Sequence, residues 1–390
     1  MLVAPAPLVL IGYRRPALEV ALRRGPTIVA VDRPPPRSAR ASDAVFVDVD
    51  LSDPGAALAA LRGALGDARP AGVVALVERS VAVAAALAEA YDLPGSRPAQ
   101  VDLFRDKARM KERARAAGIP TAAHIEVRPG APARDLVEAL GLPLVLKPRR
   151  SSGSRDLVIA RSLADVRAAV DRAAQGELIA EELIKGVEMS VESLVAGGEI
   201  IFTNPTEYLI HGHASVVPAG ISAVHLERAL ALNAEVLEAF AIRDGITHLE
   251  LFISQEDYVL GEVAARPPGG YLMDLIASAY GFDPYAALFA IACGERPQVT
   301  TTAQATAAAL VIHPGAGEVV RVDGVDAIAA LPGVDRVRCS LRPGDRLSAR
   351  KGVGESKGWV LLRGDDRPAL LRVLRQVQGL LDIELRPVEA

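Results

Sequence analysis

Residues 247–270 read THLELFISQEDYVLGEVAARPPGG. THLELFIS alternates apolar and polar residues in the manner of a half-buried strand, and YVLGEVAAR supplies a second apolar run after the polar turn QED. If that turn makes the two runs antiparallel neighbours, Glu250 and Glu262 face each other on one side of a sheet. A lone carboxylate inside an apolar strand is costly to bury, so a pair there calls for a cation. Mg2+ suits such a pair, since it takes one or two carboxylates together with phosphate oxygens and keeps several waters. Arg266 follows four residues on, where a guanidinium would fork onto an anionic oxygen, and Gly269 and Gly270 would let a substrate approach the backbone. The competing reading is a surface hairpin with unrelated charges. His248 reads as structural, and Tyr271 and Met273 as either pocket lining or core.

Upstream, Lys147 ends the apolar strand PLVLKP and precedes the loop Ser151, Ser152, Gly153, Ser154. A strand-borne ammonium beside a loop rich in small residues and backbone N–H groups is suited to polyphosphate, although a strand-end Lys before a solvated loop has the same pattern. Lysine is scarce here: of 44 basic residues only Lys107, Lys111, Lys147, Lys185, Lys351 and Lys357 are Lys. Lys107 lies in VDLFRDKARMKERARAAGIP, read as one basic helix stopped by Gly118 and Pro120.

The first hundred residues alternate apolar runs with helical stretches, which predicts a doubly wound parallel sheet. Its first turn offers only Gly12, so a dinucleotide site is not expected, and Asp32 reads as a strand-end residue rather than a ribose ligand. The pair Gly197 and Gly198 marks a hairpin, residues 205–225 form a long Pro- and His-containing connection, and the last 90 or so residues form a smaller mixed domain. A net charge of -4 excludes a broad polyanion-binding surface. No window suits a membrane span, the first residues read as a strand rather than a leader, and a cytoplasmic protein with two buried thiols, Cys293 and Cys339, is expected.

The succession DKARMKERARAAGIP, LPLVLKP, SSGSRDLVI, LIAEELIKGVEMSVESLV, GITHLELFI and LGEVAARPPGG resembles the ATP-grasp superfamily, closest to its carboxylate–amine ligases of the L-amino-acid ligase (dipeptide synthetase) type. The resemblance implies an N-terminal pre-ATP-grasp α/β domain over 1–100, a two-lobed α+β ATP-grasp domain over 101–303 and an accessory α+β domain over 304–390. It implies ATP and Mg2+, usually two ions, with Mn2+ able to substitute, and amide formation through an acyl phosphate with release of ADP and phosphate. Lys107 and Lys147 would meet the ATP phosphates under Ser152, Gly153 and Ser154; Glu181, Glu182, Leu183 and Ile184 the adenine edge; and Glu188 the ribose. Glu250 and Glu262 would hold the metal, and Arg266, with the Gly269 and Gly270 N–H groups, the acyl phosphate and the oxyanion. Glu207, His211 and His213 would approach the amino-acid substrate, the carboxylate on an ammonium and a His as proton acceptor. One departure from the superfamily pattern is Ala264, where an Asn metal ligand is usual. Small-molecule carboxylate and amine substrates, no nucleic acid or membrane partner, and a homodimer complete the expectation. Related alternatives are a formate- or bicarbonate-activating enzyme and a non-catalytic nucleotide-binding protein.

Overall fold

The computed structural model describes residues 5–128, 130–172, 177–254 and 257–387. The apolar runs at the N-terminus become four parallel strands, β1 (Leu8–Ile11), β2 (Thr27–Val31), β3 (Val45–Asp48) and β4 (Gly72–Ala75), in the order β3-β2-β1-β4. Strands β1 and β2 are buried throughout because helices cover both faces, which explains why they read as continuous rather than alternating apolar stretches. Gly12 serves packing: its φ is +88°, and a Cβ there would stand 2.7 Å from Val77 Cγ2 at the end of β4. Asp32 is ion-paired with Arg79.

The basic stretch expected as one helix is two, Val101–Arg105 and Lys107–Ala116, broken at Asp106. Extended there, Asp106 caps the second helix, its Oδ1 accepting from the N–H groups of Ala108 and Arg109. Arg149 grips the same carboxylate through Nη2 (2.7 Å) and Nε (3.1 Å). This fork ties the start of the helix to the loop after Lys147 and puts Lys107 at the first helical position, turned inward with 4% exposure. Solvation of a basic face, the ordinary fate of such a run, is overridden by one aspartate.

A small antiparallel sheet follows, ordered β5 (His124–Val127), β8 (Leu178–Glu182), β6 (Leu144–Pro148) and β7 (Val158–Ala160). The larger sheet has eight strands in the order β13-β12-β9-β10-β11-β14-β18-β16. These are β9 (Gly186–Ala196), β10 (Glu199–Ile210), β11 (Ala214–Val217), β12 (Gly245–Ser254), β13 (Tyr258–Ala264), β14 (Thr306–Ile312), β16 (Val334–Cys339) and β18 (Gly358–Gly364). Gly197 and Gly198, both at positive φ, make the expected hairpin between β9 and β10. The stretch 205–217, expected as a connection, is mostly strand. Pro205 is tolerated because its carbonyl accepts from Ala219, so its missing N–H falls on that side, outside the pairing with β9.

The C-terminal residues do not form a separate layer. β14 pairs with β11 and carries β18 and β16 with it, while β15 (Gly317–Asp323), β17 (Arg346–Leu347) and β19 (Asp382–Arg386) form a second sheet. The helix Leu272–Tyr280, not read from the sequence, and the helix Pro284–Ala292 lie in the core, burying Met273. No single described helix is long and apolar enough to cross a membrane. Cys293 and Cys339 are free and half-buried. Two residues of the QED turn, 255 and 256, and residues 173–176 of the helical run after 162 lie outside the described residues.

Candidate active site

Strand register assembles the site. On the face of the large sheet turned to the cleft, two ranks cross the strands: Asn204, Glu192, His248 and Ala264, then Thr206, Ser190, Glu250 and Glu262. Glu250 and Glu262 are direct cross-strand partners, as the hairpin reading requires. The opposite face of the same strands carries Val191, Leu249, Leu251 and Val263, packed under the helix Ala223–Ala239. The alternation legible in LELFI is therefore the division between a core face and a charged one.

These residues line a cleft of about 680 Å³ between the small sheet, the large sheet and the ends of the N-terminal strands. It brings together Lys107, Lys147, Ser152, Gly153, Ser154, Glu181, Glu182, Leu183, Ile184, Glu188, His211, His213, Glu250, Glu262, Arg266, Gly269 and Gly270. Lys107 Nζ donates to the Ser151 carbonyl (2.8 Å) and lies 3.3 Å from Glu262 Oε2, joining the phosphate loop to the acidic hairpin. Arg266 Nε donates to Glu78 Oε2 at 2.8 Å, so the N-terminal domain contributes a carboxylate that sequence reading missed.

Lys111 was also missed, because a helical Lys within a basic run has the signature of a solvated face. It is 1% exposed, and its Nζ lies 3.5 Å from Glu181 Oε1 while Lys147 Nζ lies 2.9 Å from Glu181 Oε2. Burial works against the Glu181 anion, but the two ammonium groups outweigh it and hold its pKa below the usual value. Burial also opposes the Lys147 ammonium, and Glu181 with Glu262 more than offsets this, so Lys147 stays charged. For Lys111 burial wins and its pKa is lowered. In the segment expected at the adenine edge, the Glu181 carboxylate is held by two lysines. Glu182 is likewise occupied, accepting from the Ala123 N–H at 2.8 Å.

His248 is buried, with Nδ1 2.9 Å from Glu192 Oε1 and Nε2 3.3 Å from Glu250 Oε1. Burial favours the neutral ring, yet hydrogen bonds to the two carboxylates raise its pKa to about 9. Glu250, opposed by burial but facing His248, is pulled down to about 2. His248, expected to be structural, braces the acidic hairpin directly.

Three further expectations change. Glu207 is outside the cleft lining: both its oxygens accept from Arg367 Nη2 at 2.6 Å, and Oε2 also accepts from the Gly220 N–H, so the carboxylate is already paired with a guanidinium. Glu188 lies 2.9 Å from His211 Nδ1, and the hydrogen bond raises the His211 pKa. His211 Nε2 meets Ser154 Oγ at 3.3 Å, so both nitrogens of that ring are engaged, and His213 Nε2 accepts from Arg350 at 2.9 Å. Arg350 belongs to a C-terminal loop whose Val353 N–H donates to the Gly153 carbonyl at 2.9 Å, and Val353 and Gly354 complete the cleft wall.

The donor set suits Mg2+. Among the described residues no three His, Cys, Asp or Glu side chains form a closed metal cage. Two facing carboxylates with ammonium groups alongside instead fit an ion whose remaining positions go to phosphate oxygens and water.

Residues 112–275 match the ATP-grasp domain family, and residues 309–386 match the L-amino acid ligase C-terminal domain 2. The chain is 27% identical over 244 residues to the L-arginine-specific L-amino acid ligase of Bacillus subtilis, covering 58% of this chain and 59% of that protein. It is 28% identical over 387 residues to a formate-dependent phosphoribosylglycinamide formyltransferase of Nitratidesulfovibrio vulgaris, covering 95% and 94%. Its fold is shared with an L-amino acid ligase from Bacillus licheniformis, with a TM-score of 0.83 at 20% identity, over 98% of this chain and 100% of that one. The chain thus carries an ATP-grasp domain followed by an L-amino acid ligase C-terminal domain 2, the make-up of an ADP-forming ATP-grasp carboxylate–amine ligase that uses ATP and Mg2+.

Proposed function

We propose that this protein joins the carboxylate of one amino acid to the amine of a second amino acid or other amine, acting in the cytoplasm as a three-part enzyme divided near residues 100 and 303. The observation that carries this reading is the cleft wall itself. Ala309 and Val311 on β14 and Val353 and Gly354 on the loop between β17 and β18 belong to the region matching the L-amino acid ligase C-terminal domain 2, and they line the same cleft as the acidic hairpin. A cleft of about 680 Å³ has room for ATP and more than a formate or bicarbonate ion.

In this reading the substrate carboxylate attacks the γ-phosphorus in line, displacing ADP. Lys107 and Lys147 sit on the phosphates and offset charge on the transferring group, while the loop Ser152 to Ser154 excludes water that would hydrolyse the acyl phosphate. Glu250 and Glu262 would hold Mg2+, which would supply charge neutralisation. The backbone of Glu182, Leu183 and Ile184 borders the adenine, and Glu188 the ribose. When the amine adds to the acyl carbon, the developing oxyanion is met by Arg266 and the Gly269 and Gly270 N–H groups, and the amide forms as the C–O bond to phosphate breaks and the departing phosphate takes the amine proton; loss of one oxyanion donor costs about 2.7 to 4 kcal/mol.

The test is ADP release from ATP and Mg2+ with pooled amino acids, followed by mass spectrometry of products. Release that depends on amino acids, with a condensed product, supports the proposal. The formyltransferase relative favours a second reading, activation of formate, and release only with formate or bicarbonate would replace the first.

A further inference from the structure

The rank of polar side chains behind the acidic hairpin is built too completely to be packing alone. Glu192 is fully buried on β9, yet its carboxylate accepts from four side chains on three strands. Ser190 Oγ (2.7 Å) and His248 Nδ1 (2.9 Å) meet Oε1, and Asn204 Nδ2 (2.7 Å) and Thr206 Oγ1 (2.6 Å) meet Oε2. A buried carboxylate with so many donors has one orientation, and through Nδ1 it gives His248 one orientation as well. The other nitrogen, Nε2, lies 3.3 Å from Glu250 Oε1, and the Tyr208 hydroxyl donates to that oxygen at 3.4 Å. Both contacts fall on one oxygen of Glu250. Cross-strand from His248 stands Ala264, whose methyl group neither competes for the imidazole nor reaches Glu250 by hydrogen bonding.

We propose that Glu192 and His248 are positioning residues for the divalent cation: they fix the carboxylate of Glu250 so that Oε1 is held by the protein and Oε2 is left to the metal. This rests on the reading of Glu250 as a cation ligand. A ligating carboxylate free to rotate must be ordered when the ion arrives, whereas one held from behind is already in place, and loss of such outer partners commonly costs about 10- to 100-fold in metal affinity.

The experiment titrates Mn2+ into the full chain with ADP, following free Mn2+ by electron paramagnetic resonance, for wild type, His248→Asn, His248→Gln and Glu250→Gln. Folding is checked by circular dichroism, and ADP affinity is measured separately in EDTA. Weakening of Mn2+ binding by about 10- to 100-fold in His248→Asn, with ADP affinity in EDTA unchanged and partial recovery in His248→Gln, supports the proposal. Mn2+ affinity within twofold of wild type in a folded His248→Asn overturns it. So does failure of both His248 variants to fold, which would make the network purely a matter of stability. If Glu250→Gln itself binds Mn2+ as wild type does, the ligand assignment fails, a result distinct from failure of the positioning role.

Discussion

The N-terminal sheet is covered by helices on both faces, whereas the large sheet turns one of its faces to the cleft. β1 and β2 are buried along their whole length and, Thr27 apart, apolar, and among the described residues that sheet reaches the cleft through the segments after its strands, with Arg14, Val77 and Glu78. In the large sheet, β9, β10 and β12 give one face to a helix and the other to two ranks of polar and charged side chains. A buried polar rank is costly unless every member is paired, so its presence marks where function overrode packing. The first sheet supports; the second holds the chemistry.

The contrast is broken most sharply at the hairpin. Glu262→Gln should leave no measurable ADP release while circular dichroism stays native; normal turnover would remove the metal-site assignment. Arg266→Met should lower kcat by about 10²- to 10³-fold, the size expected for loss of one oxyanion donor, with ADP affinity kept. Pairing it with Glu78→Gln tests whether part of the loss comes from leaving Glu78 unpartnered.

Substitution in the supporting sheet should do the reverse. Leu10→Ala, at a fully buried position of β1, should cost about 2 to 5 kcal/mol in denaturant unfolding yet leave KM for ATP unchanged below the transition. An equal loss of nucleotide binding would show that the two sheets are not separable in this way.

A pH series in EDTA sharpens the comparison further. The His248 pKa is raised from 6.5 to about 9 in the folded state, so its contribution is fully present below pH 6.5 and lost as pH rises through about 9. Glu250 is lowered to about 2, so its contribution is present above the ordinary carboxylate range and fades as pH falls toward 2. Melting temperature should therefore decline more steeply between pH 6.5 and 9 in wild type than in His248→Gln. The smallest effect is expected at the strut: Arg367→Met should lower stability by about 1 to 3 kcal/mol without changing KM for any amino-acid substrate. A selective rise in that KM would return Glu207 to the substrate site.

Legibility followed locality. Glu250 and Glu262 could be paired from sequence because a period of two and a short turn determine which side chains share a face. Gly197 and Gly198 announced their hairpin for a similarly local reason. Glu192 and Lys111 stayed hidden because each is engaged only by a partner far along the chain: His248 is 56 residues from Glu192, and Glu181 on β8 meets Lys111 on a helix. Glu207 was misread for the converse reason. A carboxylate near two histidines looks available until Arg367, 160 residues away, is seen to occupy it. The break at Asp106 was missed because the helix propensity of its neighbours gives no warning of Arg149.

Patterning alone determined the alternation of strands and helices at the N-terminus, the acidic hairpin, and the placement of one scarce lysine, Lys147, next to a small-residue loop. Those features depend on spacing along a few residues, which the backbone geometry of strands and helices converts directly into shared faces. Tertiary structure decided which charges were free to act. It committed Glu181 to two lysines, Glu207 to Arg367 and His248 to two carboxylates, and it carried β14 into the large sheet so that C-terminal residues wall the cleft. Whether a buried charge is neutralised, braced or left for a ligand depends on every group within a few ångströms, and that neighbourhood is assembled only by folding.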